Sequence, residues 1–308
     1  MLANMENTLK TVINSSGPFK HLTIVGAGLI GGSVAMAAKN AFPGLRVLAV
    51  DTQEETLQYA LRHGIADDVS LKLPVQWPVQ WEDGSLIVLA THLSAARDIL
   101  AQLPPIVTGR DIIITDVGSC KRRIAELGQS LLPDQFIAGH PMAGREFSGI
   151  HNATDLLFAG KSWLFCPPPG VDPARFERLK AFVTAFRAIP RTLDADSHDR
   201  AMAYVSHLPQ LYSILLTNLI DAHQPGRLLS YHGGGIDDQL RLAASPYAMW
   251  GEVLAENADN LRDVLAELGG MMTEVAPLLD EPEAMAQWFE RSNRLHRDFN
   301  ALKTPTAR

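Results

Sequence analysis

Short apolar runs at residues 22–25, 47–50, 86–89, 112–115 and 136–138 alternate with stretches of helical periodicity through the first half of the chain. Brief β-branched and aliphatic runs separated by helices predict an α/β fold with a parallel sheet wound on both faces. A helix over 173–186 and a short strand over 191–193 finish this region, after the turn-rich Pro167-Pro-Pro-Gly170. From Asp196 the pattern becomes helical throughout, with apolar positions spread over 201–222, 248–268 and 284–299 and a break at Gly233-Gly-Gly235. Two domains are expected, 1–194 and 195–308, the second all-helical.

The first apolar run leads into Gly26-Ala-Gly-Leu-Ile-Gly-Gly-Ser33 and, one helix later, into Leu45-Arg-Val-Leu-Ala-Val-Asp51. Gly26 permits a sharp turn, Gly28 lets backbone approach a pyrophosphate, and Gly31 lets the helix lie against the strand. The free N–H groups of the helix N-terminus then hold the phosphates. Asp51 falls about 20 residues past the third glycine, where a carboxylate meets the adenosine ribose hydroxyl. The first domain therefore reads as a Rossmann-like doubly wound dinucleotide-binding domain, with Gly26, Gly28, Leu29, Ile30, Gly31 and Asp51 as candidate cofactor contacts. A carboxylate at Asp51 repels a 2′-phosphate and neither Thr52 nor Gln53 brings a cation, so NAD is expected over NADP.

The chain has 308 residues, 46% of them hydrophobic, enough for two cores. Its net charge of −7 speaks against a nucleic-acid surface or a polybasic membrane face, so an anionic substrate must be met by local cations. Residues 1–20 lack the apolar stretch of a secretory signal, and no later run approaches a membrane span, which makes the cytoplasm the expected location. Cys120 and Cys166 lack metal-ligand spacing and do not suggest a disulfide scaffold.

Three further clusters hold polar chemistry. Thr115-Asp-Val-Gly-Ser-Cys-Lys121 follows a strand, which sets Ser119 beyond the carboxyl edge of the sheet, where ligands of open α/β sheets bind; Asp116 or Ser119 acting only as a helix cap is the competing reading. Gly139-His-Pro-Met-Ala-Gly-Arg-Glu-Phe-Ser-Gly149 also follows a strand. His140 titrates near neutrality and suits the acceptance of a hydroxyl proton as hydride leaves the same carbon, against the alternative of a turn histidine bonded to backbone. The helical half contributes Ser197-His-Asp-Arg200, Ser206-His-Leu-Pro-Gln210 and Gly233-Gly-Gly through Arg241 to Trp250. Arg241 is expected at the start of a helix after the glycine turn, where its guanidinium would grip a carboxylate. His140, His198 and His207 lack the spacing of a metal site, so no metal is expected.

Together these segments resemble the prephenate dehydrogenase family, which includes the arogenate and cyclohexadienyl dehydrogenases. The resemblance spans about residues 21–268 and rests on Gly26-Ala-Gly-Leu-Ile-Gly-Gly-Ser33, Asp116-Val-Gly-Ser-Cys-Lys121, Gly139-His-Pro-Met-Ala-Gly with Glu146, His198-Asp-Arg, Ser206-His-Leu-Pro, and Gly233 through Arg241 to Met249-Trp250. It implies NAD(P)-dependent oxidative decarboxylation of a cyclohexadienyl acid, with hydride leaving ring C4 and the ring carboxylate leaving as CO2. It also implies His140 against the C4 hydroxyl, Ser119 orienting that group, and Arg241 on a substrate carboxylate. Glu146, His207 and Trp250 would line the same pocket, and Thr91 would lie on the nicotinamide side. A homodimer built through the helical domain is expected.

Two positions depart from the family pattern. Gln210 stands where the family usually has histidine, and Ala90-Thr-His-Leu93 lacks the usual proline. A neutral amide at 210 opens the alternative of a 4-amino-4-deoxyprephenate substrate, in which hydride loss gives an iminium and strong base catalysis matters less. Arogenate is a further alternative, and a dinucleotide-binding regulator without catalysis a distant one.

Overall fold

The computed structural model describes residues 17–73, 83–145 and 147–303. By compactness the chain separates into two units after Asn257, so the composition change expected at 194/195 falls inside the first unit. That unit is built on β1 (His21–Val25), β2 (Arg46–Val50), β3 (Asp68–Ser70), β4 (Ser85–Leu89), β5 (Ile112–Asp116), β6 (Phe136–Pro141), β7 (Ser162–Cys166) and β8 (Ile189–Thr192). They form one sheet in the order β3-β2-β1-β4-β5-β6-β7-β8.

The strands expected from the apolar runs all form, and successive residues point to opposite faces. On β4, Leu86 and Val88 enter one buried cluster while Ile87 and Leu89 enter the other. Both faces are covered, which is why these strands read as continuous apolar runs and not as alternating ones. Two strands were not foreseen. β3 has three residues, Asp-Val-Ser, without an apolar run. β7 runs antiparallel to β6, with Leu164 opposite His140 and Phe165 opposite Gly139, whereas β8 pairs parallel with β7.

The order of the sheet reverses between β1 and β4, and the carboxyl ends of these two strands define the crevice in which ligands of such sheets bind. Gly26 adopts φ +93°, and a side chain there would lie 2.5 Å from the carbonyl oxygen of Ala90, at the end of β4. A side chain at Gly31 would lie 2.0 Å from the Gly26 carbonyl oxygen, so the helix Leu29–Ala41 meets the strand only because that position lacks one. Gly32 is buried against Ile150 and Ala153. Next to it, Ser33 Oγ accepts the Thr154 N–H at 3.0 Å. The segment beyond the His140 loop is thus fastened to the cofactor helix.

The helical run expected over 201–222 divides into Ala195–Met202, a π-helical turn Ala203–His207, and Leu208–Asp221. Pro209 explains the irregular turn, because proline has no N–H to offer the carbonyl four residues earlier and its ring crowds that carbonyl. The run expected over 248–268 is likewise cut at Asn257, between Tyr247–Glu256 and Ala258–Leu278. The second unit consists of Ala258–Leu278 and Pro282–Lys303. No helix among the described residues is long and apolar enough to cross a membrane.

Candidate active site

The glycine turn is shaped for a dinucleotide. Gly28 caps the helix Leu29–Ala41 without a capping side chain, and a side chain at Gly28 would meet nothing within 4 Å, which leaves open space for a phosphate. Asp51, directly after β2, turns its carboxylate onto the same turn, where Oδ2 accepts the Ala27 N–H at 2.8 Å and Oδ1 accepts the Gln53 N–H at 2.9 Å. Thr91 is half-buried just past β4. The glycine turn and Asp51 fit the adenosine and pyrophosphate half of a dinucleotide.

Two strands along, the pairing of β5 with β6 is carried by Ile114 with Phe136 and Thr115 with Ile137. Further towards the carboxyl ends, side chains take the place of the ladder. Asp116 Oδ1 accepts the Gly139 N–H at 3.1 Å, and Lys121 Nζ donates to the Gly139 carbonyl at 2.8 Å. Lys121 also pairs with Asp116 Oδ2, both side chains having no exposure. His140 follows at once, 8% exposed, after a residue whose N–H and carbonyl are both held. Ser119 lies half-buried in the loop between Asp116 and Lys121.

Behind His140 stands the helix Ala195–Met202. His140 Nδ1 lies 2.9 Å from His198 Nε2, and His198 Nδ1 lies 2.8 Å from Asp199 Oδ1. Asp199 also accepts the backbone N–H groups of Lys121 at 2.7 Å and Arg122 at 3.1 Å, so its carboxylate caps the helix Arg122–Leu131. Burial opposes the Asp199 charge, but His198 and these N–H groups hold the carboxyl below its ordinary value. Burial drives His140 well below the usual imidazole range, with His198, Lys121 and His207 adding to it, and lowers His198 despite its bond to Asp199.

His207 ends the π-helical turn and is 1% exposed. Asn257 Nδ2 donates to the Asp199 carbonyl at 2.7 Å and lies 3.1 Å from His207 Nδ1, while Asn257 Oδ1 accepts from Arg122. A carbonyl only accepts and a guanidinium only donates, so the Asn257 amide has one orientation, and His207 Nδ1 must accept from it. The ring proton of neutral His207 therefore sits on Nε2, a buried donor with no partner among the described residues. Its ring meets that of Trp250 edge to face, with centroids 5.9 Å apart.

The remaining expected residues stand as follows. Arg241 is exposed in the last turn of Gly234–Ala243, not at a helix start, because Gly234 and Gly235 join the helix and only Gly233 precedes it. Gln210 is 1% exposed and its Nε2 donates to the Leu242 carbonyl at 2.8 Å, which pins the helix Leu208–Asp221 to the end of the Arg241 helix. Glu146 lies outside the described residues. Asp116, read from sequence as at most a helix cap, and Lys121, Asp199 and Asn257, with no role from sequence, belong to the site. The motifs containing the first three were visible, but only the fold brings their charges under His140.

A model of the prephenate dehydrogenase nucleotide-binding domain matches residues 34–189, and a model of the prephenate dehydrogenase dimerization domain matches residues 194–291. The chain belongs to the prephenate dehydrogenase family. Prephenate dehydrogenase of Bacillus subtilis is 28% identical over 269 residues, 85% of this chain and 71% of that protein. Cyclohexadienyl dehydrogenase of Zymomonas mobilis is 28% identical over 294 residues, 93% of this chain and 97% of that protein. The structure of prephenate dehydrogenase from A. aeolicus in complex with hydroxyphenyl propionate and NAD+ superposes with a TM-score of 0.83 at 25% identity, covering 91% of this chain and 98% of that one. Family membership makes the protein an oxidoreductase.

Burial brings the His207 imidazole of this family member down to about 4 from the usual 6.5, with Asp199 opposing and His198 adding to the shift. Between about pH 4 and 6.5 the unfolded chain therefore binds the extra proton, so stability rises with pH through that window and is lost as acid returns. His140 and His198 act in the same direction. Urea unfolding of the wild type and His207→Gln at both ends of the window checks this, the wild-type midpoint being expected to fall more steeply towards acid than that of the variant.

Proposed function

We propose that the protein oxidises prephenate to 4-hydroxyphenylpyruvate and CO2 with NAD as hydride acceptor. The observation that carries this reading is His140, a buried neutral imidazole at the carboxyl end of β6, on the sheet edge that also bears the glycine turn. Asp51 on the glycine turn favours a free ribose hydroxyl over a 2′-phosphate. NAD, when bound, takes up the hydride released from ring C4. His140 accepts the proton of the C4 hydroxyl as that hydride leaves, Ser119 orients the hydroxyl, and the resulting dienone loses its ring carboxylate and becomes aromatic. His207 offers its Nε2–H to a substrate oxygen beside Trp250, and Arg241 supplies the cation for a carboxylate. The hydroxyphenyl propionate bound to the A. aeolicus enzyme supports a ligand of this size and polarity.

The 4-amino alternative depends on Gln210 facing the ring substituent. Its amide nitrogen is engaged by the Leu242 carbonyl, which makes Gln210 a brace between two helices. Residues 195–308 are proposed as the substrate and dimerisation segment. Tyr212, Leu215 and Leu219 leave apolar surface exposed along the helix Leu208–Asp221, and a second copy of the chain is the expected cover.

Steady-state kinetics on prephenate, arogenate and 4-amino-4-deoxyprephenate test the substrate, with the highest kcat/KM expected for prephenate; a higher value for either analogue replaces this assignment. His140→Asn is expected to keep NAD affinity and to lower kcat by roughly 10²–10⁴. Unchanged turnover would remove His140 from the chemistry. Light scattering at micromolar concentration is expected to return twice the chain mass, and a monomer would reject the dimer.

A further inference from the structure

Three groups stand in a row, the candidate base His140, then His198 and the carboxylate of Asp199, joined at 2.9 and 2.8 Å. A carboxylate only accepts, so the proton of the second link sits on His198 Nδ1. His198 has no exposure and stays neutral, which leaves its Nε2 as a lone pair. A lone pair on His140 Nδ1 as well would set two acceptors against each other at 2.9 Å. The shared proton therefore belongs to His140 Nδ1, and His140 Nε2 is the basic nitrogen.

We infer that His198 is a positioning residue that, backed by Asp199, fixes His140 in its Nδ1–H tautomer and keeps the Nε2 lone pair for the proton of the reacting substrate. The inference rests on the reading of His140 as the base. It also gives the inserted imidazole a purpose. A carboxylate bonded directly to His140 would orient it equally well, but would favour the imidazolium and fill the lone pair before substrate arrived. With a neutral ring between them, Asp199 orients His140 without holding a proton on it. The other charged and titratable groups facing this row are Lys121 and Asp116 from the β5 end, Arg122 on the far side of Asp199, and His207 from the π-helical turn. The positive side chain of Lys121, which donates to the carbonyl just before His140, acts in the same sense.

The decisive measurement is the tautomer of His140 in 15N-histidine-labelled enzyme near neutral pH, its resonances assigned by their loss in His140→Asn. A proton on Nδ1 with a bare Nε2 is expected, and a proton on Nε2 overturns the inference. Because this readout needs no turnover, it stands apart from the question of whether His140 is the base, which kcat of His140→Asn decides. Two variants add a kinetic test. His198→Leu removes the acceptor and is expected to lower kcat about 10–100-fold with the NAD KM unchanged, in the range typical of a lost supporting hydrogen bond. His198→Gln, which restores an acceptor oxygen towards His140, is expected to recover most of that loss. Equal kcat in wild type and both folded variants would overturn the positioning role, and a Leu variant that fails to fold leaves the tautomer measurement to decide.

Discussion

The site depends on the point where the β5–β6 ladder gives way to side chains. A sheet that simply stopped there would leave the peptide of Gly139 with unpaired polar groups in the interior, a cost of about 1–3 kcal/mol for each. Asp116 takes the Gly139 N–H and Lys121 its carbonyl, and the two neutralise each other while doing so. Such a pair contributes little net stability over an apolar filling, but losing one partner strands the other and costs about 3–5 kcal/mol. Its value lies in geometry. The backbone before His140 is fixed on its β5 side without a ladder, and the backbone N–H of the same Lys121 holds Asp199. One residue thereby ties the end of the sheet to the first helix of the helical half.

Around this anchor, fixed acceptors and donors decide the character of the histidines. The carbonyl of Asp199 orients Asn257, which makes His207 a donor at Nε2; the carboxylate of the same residue orients His198, which leaves His140 an acceptor. Two imidazoles of one chemical type thus present opposite polarity, and burial keeps both uncharged. A cluster of this kind is worth more than its separate bonds, because each member fixes the proton position of the next.

Much of this was legible in the chain. The glycine turn, Asp51 and the apolar strands carry their own local reasons, since φ at Gly26, close contact at Gly31 and two covered faces are short-range requirements that leave a mark on residue type. His140 was found because it follows a strand. What escaped notice depends on long-range pairing. Lys121 and Asp116 are five residues apart but owe their role to β6, and His198 and Asp199 owe theirs to a helix that folds back from beyond β8. β7 was missed because its five residues carry no turn chemistry announcing reversal against β6. The error over Arg241 is local: a glycine triplet was read as a turn, yet two of its members extend the helix.

The fastening of Ile150, Ala153 and Thr154 to Gly32 and Ser33 has a consequence for how such a protein diversifies. The stretch between Pro141 and Ile150 leaves a strand that carries the proposed base and lands on the helix that cradles the nucleotide. A change of residue type at Ile150, Ala153 or Thr154 is therefore felt at Gly32 and Ser33 on that helix. The far end of this stretch and the nucleotide helix therefore diversify as one unit, each substitution on one side needing a fit on the other.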